Sequence, residues 1–227
     1  MLGHRLVLTF IITAVIAIPV TDIRSSTVSS DSGSASYNFL VASGFLCEPN
    51  DSTTCPAVAR AASGETIELN GAGTFTLANK SITAAGAFIH KSSTGQVVAS
   101  GVWAVTELLS FQSYGLAPGA LMLKTQKLKA SRFFSLGLGM LAGPMPAGGL
   151  ALMRIRLLPD SGRPKDAILQ VNCALGKAPP NQQGDGIRLA MQGGALRFDG
   201  KVSGRTVFML RKPGLNLSSQ RLVPGTN

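Results

Sequence analysis

Glu107, His90 and three cysteines are the residues of this 227-residue chain whose types and surroundings lend themselves to chemistry. Glu107 falls within Val97 to Phe111. If that run is one uninterrupted strand, Val97, Ala99, Gly101, Trp103, Val105, Glu107, Leu109 and Phe111 share a face. The face holds the only tryptophan, so it is expected to point inward. A carboxyl among apolar neighbours is desolvated, its pKa rises, and it becomes suited to proton transfer or ligand contact. The opposing expectation is a bulge or strand end near 106–107 that turns Glu107 outward, since one extra residue reverses every later side chain. Pairing with an interior arginine is a further alternative. His90 ends the stretch ITAAGAFIH, beside Lys91 and a Ser-rich turn. An imidazole there is a candidate base, although a lone histidine at a strand end is more often solvated or hydrogen-bonded.

The cysteines divide into a pair and a remainder. Cys47 and Cys55 bracket EPNDSTT, a short run of turn formers followed by Pro56, and in an exported protein they are expected to form a local disulfide. Cys173 is left over in ILQVNCAL, where Leu169, Val171, Cys173 and Leu175 alternate onto one strand face, so it is expected to be a buried, inert thiol. A nucleophilic thiol needs a lowered pKa, and no histidine or cluster of bases lies near it in sequence. No metal site is expected: once the signal with His4 is removed, His90 has no second histidine beside it, no cysteine pair has zinc-ligand spacing, and no acidic run has calcium-loop spacing. No cofactor is expected either. Gly137, Gly139 and Gly143 lack the third-glycine spacing and the βαβ context of a nucleotide loop, and there is no nucleophile-elbow or phosphate-binding lysine pattern.

The first residues read as an address. After MLGHR come fifteen uncharged residues, Leu6 to Val20, short of the ~20 needed to span a bilayer as a helix and broken by Pro19. Residues 1–24 are therefore expected to be a signal peptide, with the protein secreted, periplasmic or extracellular and no transmembrane segment in the mature chain. Residues 25–36 are a Ser-rich spacer, and 37–227 form one domain with too few charges and too many apolar residues for global disorder.

Charge is divided unevenly. Ser25–Gly119 carries three bases and six acids, whereas Ala120–Asn227 carries sixteen bases and four acids, a net of −3 against +12. A basic half of that size favours an anionic surface or polymer, and Lys124, Lys127, Arg154, Arg156, Arg205 and Arg211 are the candidates for that contact. Generic solubility is the competing account. Nucleic acid is not an expected partner, because two tyrosines and one tryptophan give little to stack bases upon.

These residues are carried by strands. Apolar runs separated by Gly, Pro and Asn predict strands near 37–42, 65–70, 73–78, 82–91, 96–112, 119–129, 150–158, 167–175, 187–192, 195–199 and 202–211. Hairpin connections are expected at Asn70–Gly73 and Gln192–Gly194. One short helix is expected over Pro56–Ala62, and the uncharged, glycine-rich Leu136–Leu150 is expected to form either a hairpin with an exposed tip at Gly143–Gly149 or a loop plugging a barrel end. Val207 to Leu210 is apolar on both faces, so the last strand is expected to be central or covered. The fold class is all-β, a single antiparallel barrel with a β-sandwich as the alternative. Three functions remain open: a protein binding an apolar or amphipathic ligand or an anionic surface; a small barrel enzyme of isomerase or cyclase type using Glu107 and His90; and a structural envelope component.

Overall fold

The computed structural model describes residues 35–117, 145–194 and 196–211. The signal segment, nearly all of the spacer, the strand expected at 119–129 with Lys124 and Lys127, and the stretch 136–144 lie outside these residues.

The described chain is almost all β, one large antiparallel sheet of eleven strands with no α-helix among the described residues. The strands are β1 Ser36–Val41, β2 Ala57–Arg60, β3 Thr66–Thr76, β4 Ser81–Lys91, β5 Val97–Leu116, β6 Met145–Pro159, β7 Lys165–Cys173, β8 Gly186–Met191, β9 Arg197–Phe198, β10 Gly200–Ser203 and β11 Thr206–Arg211. The pairings β3–β4–β5–β6–β11–β1 return to β3 and curl the sheet upon itself. The ladder between β4 and β5 runs from Lys91/Val97 to Ala85/Ala104 and stops there. On one side β2 and β10 extend from the first half of β3, and on the other β7, β8 and β9 extend from the second half of β6. The last strand, β11, lies between β1 and β6, as expected from its two apolar faces.

Three sequence expectations fail here for identifiable reasons. Asn70–Gly73 is not a hairpin but the middle of β3. Its glycines mark close approach rather than a turn. A Cβ on Gly71 would lie 2.5 Å from the Trp103 ring, and one on Gly86, opposite on β4, would lie 1.8 Å from the Asn70 carbonyl oxygen and 2.6 Å from Trp103 Nε1. The indole of Trp103 occupies that hollow, wholly buried, and its Nε1–H donates to the Asn70 carbonyl at 2.9 Å. The expected helix at Pro56–Ala62 is instead strand β2. Its Ala57 and Ala59 are buried while Arg60 is exposed, a period of two rather than 3.6, and each of its residues pairs with β3. Residues 145–149 likewise begin strand β6 rather than forming a hairpin tip.

The core follows the curl. Along β3 the inward residues run Ile67, Leu69, Gly71, Gly73, Phe75. At the Phe75 end an aromatic cluster joins Tyr37, Phe39, Phe111 and Phe208, from β1, β5 and β11, with ring centroids 4.8–6.1 Å apart. Trp103 packs at the middle. Met153, Ile155, Leu169, Val171, Ile187 and Leu189 fill the space beneath β6, β7 and β8.

The Cys47–Cys55 disulfide closes the loop between β1 and β2. Inside it Thr54 is buried and accepts from the Glu48 amide through its hydroxyl. The Thr53 and Thr54 carbonyls accept from the amides of Gly204 and Arg205, which tethers this loop to the start of β11.

Gly86→Ala must push its new methyl into backbone, so it is expected to cost more than about 3 kcal/mol or to prevent folding. Gly184→Ala, which meets nothing within 4 Å, should stay within about 0.5 kcal/mol of the parent. Urea unfolding followed by Trp103 emission measures both.

Candidate functional site

β5 decides where Glu107 points. Thr106 has no partner on β6, since Val105 pairs with Ile155 and Glu107 with Arg154. Further extra residues follow at Leu109 and Tyr114. Each bulge bends the strand and reverses its facing. Trp103 is therefore inward, Leu108 is inward, and Glu107 is outward, 55 % exposed and bonded to Arg154 Nε at 3.2 Å. Of the two placements weighed for Glu107, the fold adopts the one in which a bulge at 106 turns it outward, and the desolvation on which an acid–base role rested is absent. Glu107 also lies eight residues along β5 from Ala99, the cross-strand partner of His90. That is roughly 25 Å of strand, so the two candidates do not form one centre.

His90 has a different setting. Its inward position on β4 places it in a cleft of about 790 Å³ at the end of the sheet opposite the aromatic cluster. Ile67, Phe88, Leu157 and Phe198, from β3, β4, β6 and β9, are its deeply buried lining, and Ala99 and Met191 stand nearer the opening. The His90 ring meets Phe198 edge-on at 5.5 Å. Its Nε2 lies 3.7 Å from Glu65 Oε2 and has no hydrogen-bond partner, one of a few buried polar side-chain atoms so placed among the described residues. The connection between β6 and β7, Ser161-Gly162-Arg163-Pro164-Lys165, forms part of the cleft's edge. Gly162 takes φ +99°, and Pro164 restricts Arg163 before it to extended backbone, so this rim is held by turn chemistry.

Among the described bases expected to meet an anionic surface, three of four are engaged. Arg154 binds Glu107, Arg156 binds Asp166 at 2.8 Å, and Arg205 binds Glu48 and Asp51. The Arg156 hydrogen bond holds the Asp166 carboxyl below its ordinary range, and the Thr53 hydroxyl does the same for Asp51. Arg211 ends β11, exposed and without an ion pair among the described residues. Arg163 and Lys165, at the cleft edge, are also exposed and unpaired there.

Cys173 is fully buried at the end of β7, on one face with Leu169 and Val171. Leu175 falls beyond the strand and is exposed. Burial pushes the Cys173 thiol up to about 11, the opposite of what a nucleophile needs. Beside it Asn172, also fully buried, accepts from the Tyr114 hydroxyl and donates to the carbonyls of Gln182 and Gly184, fastening the connection between β7 and β8.

Sequence reasoning missed the cleft walls and the Arg163–Lys165 rim. The rim had a local signal, a Gly-Arg-Pro-Lys turn after a strand. The walls had none, because they converge from four strands far apart in the chain. No group of three or more His, Cys, Asp or Glu side chains among the described residues is placed to hold a metal ion. No protein-family model matches the chain, and no curated protein or solved structure is similar to it.

Cys173 should resist a disulfide-exchange reagent in the native protein and react when urea unfolds it, as read by thiol-release absorbance. From pH 9 towards 11 the native thiol keeps a proton that the unfolded chain sheds. The unfolded state then binds fewer protons, so stability falls as pH rises through that window. Burial raises the Tyr114 phenol as well, with the same sign, so the comparison with Cys173→Ala isolates the thiol's part. The variant's melting temperature should decline less steeply across the window.

Proposed function

We propose that this chain is an exported binding protein whose curled sheet acts as an open antiparallel barrel, with an apolar or amphipathic small molecule held at its mouth. The observation that carries the reading is the His90 cleft: about 790 Å³, walled by Ile67, Phe88, Leu157 and Phe198, with one imidazole among them. That volume and that mixture of apolar walls with few polar groups are typical of small-molecule sites. The other end of the interior is packed by the aromatic cluster. The Cys47–Cys55 disulfide supports an oxidising, exported setting. Among the described residues no helix is long and apolar enough to cross a membrane.

The anionic-surface reading draws less support, since Arg154, Arg156 and Arg205 spend their charge on neighbouring carboxylates. The enzyme reading loses its pair, because Glu107 sits outside and His90 stands without it.

Displacement of an environment-sensitive dye by straight-chain alkyl compounds tests the binding reading. Each added methylene should tighten binding about fourfold until the cleft is full, the equivalent of about 0.8 kcal/mol per buried CH₂. Ala99→Phe places a ring in the cleft and should abolish displacement, whereas Met191→Leu should retain it. Affinity indifferent to chain length, or unchanged by Ala99→Phe in a protein with native circular dichroism, would overturn the proposal.

A further inference from the structure

Resting on that binding reading, we infer that the cleft selects a single-chain amphiphile with an anionic head, the tail lying on Ile67, Phe88, Leu157 and Phe198 and the head meeting Arg163 and Lys165 at the rim. The argument is one of charge placement. Four charged or titratable side chains line the cleft: His90, Arg163, Lys165 and Asp166. Asp166 is turned to Arg156 by two hydrogen bonds, at 2.8 and 3.3 Å, so it does not offset the other two. Glu65 lies against His90 and is not part of the lining. Asp160, just before the rim, accepts from the Ser100 hydroxyl at 2.8 Å and is likewise outside the lining. Within the lining itself, two cations without a carboxylate partner thus stand over an apolar interior.

An anionic amphiphile fits this polarity. Its tail leaves water among the buried side chains, and its head stays at the solvated edge, where a charge keeps its hydration and gains two cations. A cationic head would be repelled by Arg163 and Lys165, the more so at low salt. A neutral apolar molecule would use the walls and leave the rim idle. The backbone of Arg163 is restricted to extended conformations by Pro164. The planar fork of its side chain suits the paired oxygens of a carboxylate or a phosphate monoester.

The test compares dodecanoate, dodecyl phosphate and dodecan-1-ol as dye displacers at pH 8 and low salt, below micelle formation. Wild type should favour at least one anion over the alcohol by about tenfold, as expected for two partly screened contacts. The better anion tells a fatty-acid-type head from a phosphate-monoester head. Arg163→Gln with Lys165→Gln should bring that anion down to the level of the alcohol. Lys80→Gln with Lys177→Gln, which removes the same charge elsewhere on the surface, should leave the preference intact. Equal affinity of all three compounds for wild type overturns the inference while leaving the cleft as an apolar site. So does a preference that persists in the Arg163/Lys165 variant, or one lost equally in the Lys80/Lys177 control. If none of the three displaces the dye, the binding reading itself has failed, and this inference falls with it.

Discussion

The seat of Trp103 is the constraint from which the rest of the interior follows. An indole is too large to lie flat against a normal strand pair, and here two strands give up their side chains to receive it, at Gly71 and Gly86. The hydrogen bond from Nε1 to the Asn70 carbonyl fixes the ring against β3, so the indole does more than fill space. Truncating such a residue costs about 3–5 kcal/mol in general. Here it would also empty the seam between the two ends of the sheet. On one side of Trp103 the aromatic rings from β1, β3, β5 and β11 fill the space; on the other, Phe198 and Ile67 stand back and leave the cleft. The separation of a packed end from an open end begins at this ring.

The bulges of β5 are the second determinant, and they act on chemistry as well as shape. A twenty-residue strand without bulges would run straight past the end of its partners or twist steadily. With extra residues at Thr106, Leu109 and Tyr114, it bends along β6 and keeps pairing as far as Leu116. The first of these bulges removes Glu107 from the interior. The arginine it meets, Arg154, is an outward residue of β6, so the pair is an exposed one of small energetic weight. A carboxylate that looked like an acid in an apolar pocket is therefore a surface partner.

What was legible in the sequence was period and neighbourhood. The alternation of Ala151, Met153, Ile155 and Leu157 against Arg154 and Arg156 could be read directly, and β6 places those residues on opposite faces. The two apolar faces of Val207 to Leu210 indicated a strand with neighbours on both sides, and β11 has them. The face shared by Leu169, Val171 and Cys173 was equally plain. The bulge near 106 was legible only as one of two alternatives, and the bulges at Leu109 and Tyr114 and the close approaches were not, because they depend on a partner strand. Glycine at 71 and 73 means a turn when the chain is read alone; with β4 and β5 beside it, Gly71 makes room for the indole and Gly73 for the close approach of Ala84 and Phe39. PAVARAA has the composition of a short helix, yet β3 offers it a ladder, and tertiary pairing outweighs a weak local preference. The cleft is the extreme case. Its walls come from β3, β4, β6 and β9, and nothing local marks Ile67 or Phe198 as neighbours of His90.

The charge imbalance between the two halves of the chain takes on a different meaning once the strands are paired. Read along the sequence, a net of +12 in the second half suggests an extended positive field. In the fold, the acids of the first half come to meet it. Glu107 reaches Arg154, and Glu48 and Asp51 in the disulfide loop reach Arg205 beside the closing strand. Asp166 and Asp199 take Arg156 and Arg197 within the second half itself. The cross-half pairs occupy only Arg154 and Arg205, so most of the second half's excess remains as positive charge. Positive charge left without a carboxylate then carries more information than the total, since neighbouring acids have not claimed it. Arg163 and Lys165 are such residues and stand on the edge of the one apolar cleft that also holds an unpartnered imidazole. That coincidence of free charge with buried apolar surface separates a recognition rim from an ordinary basic turn.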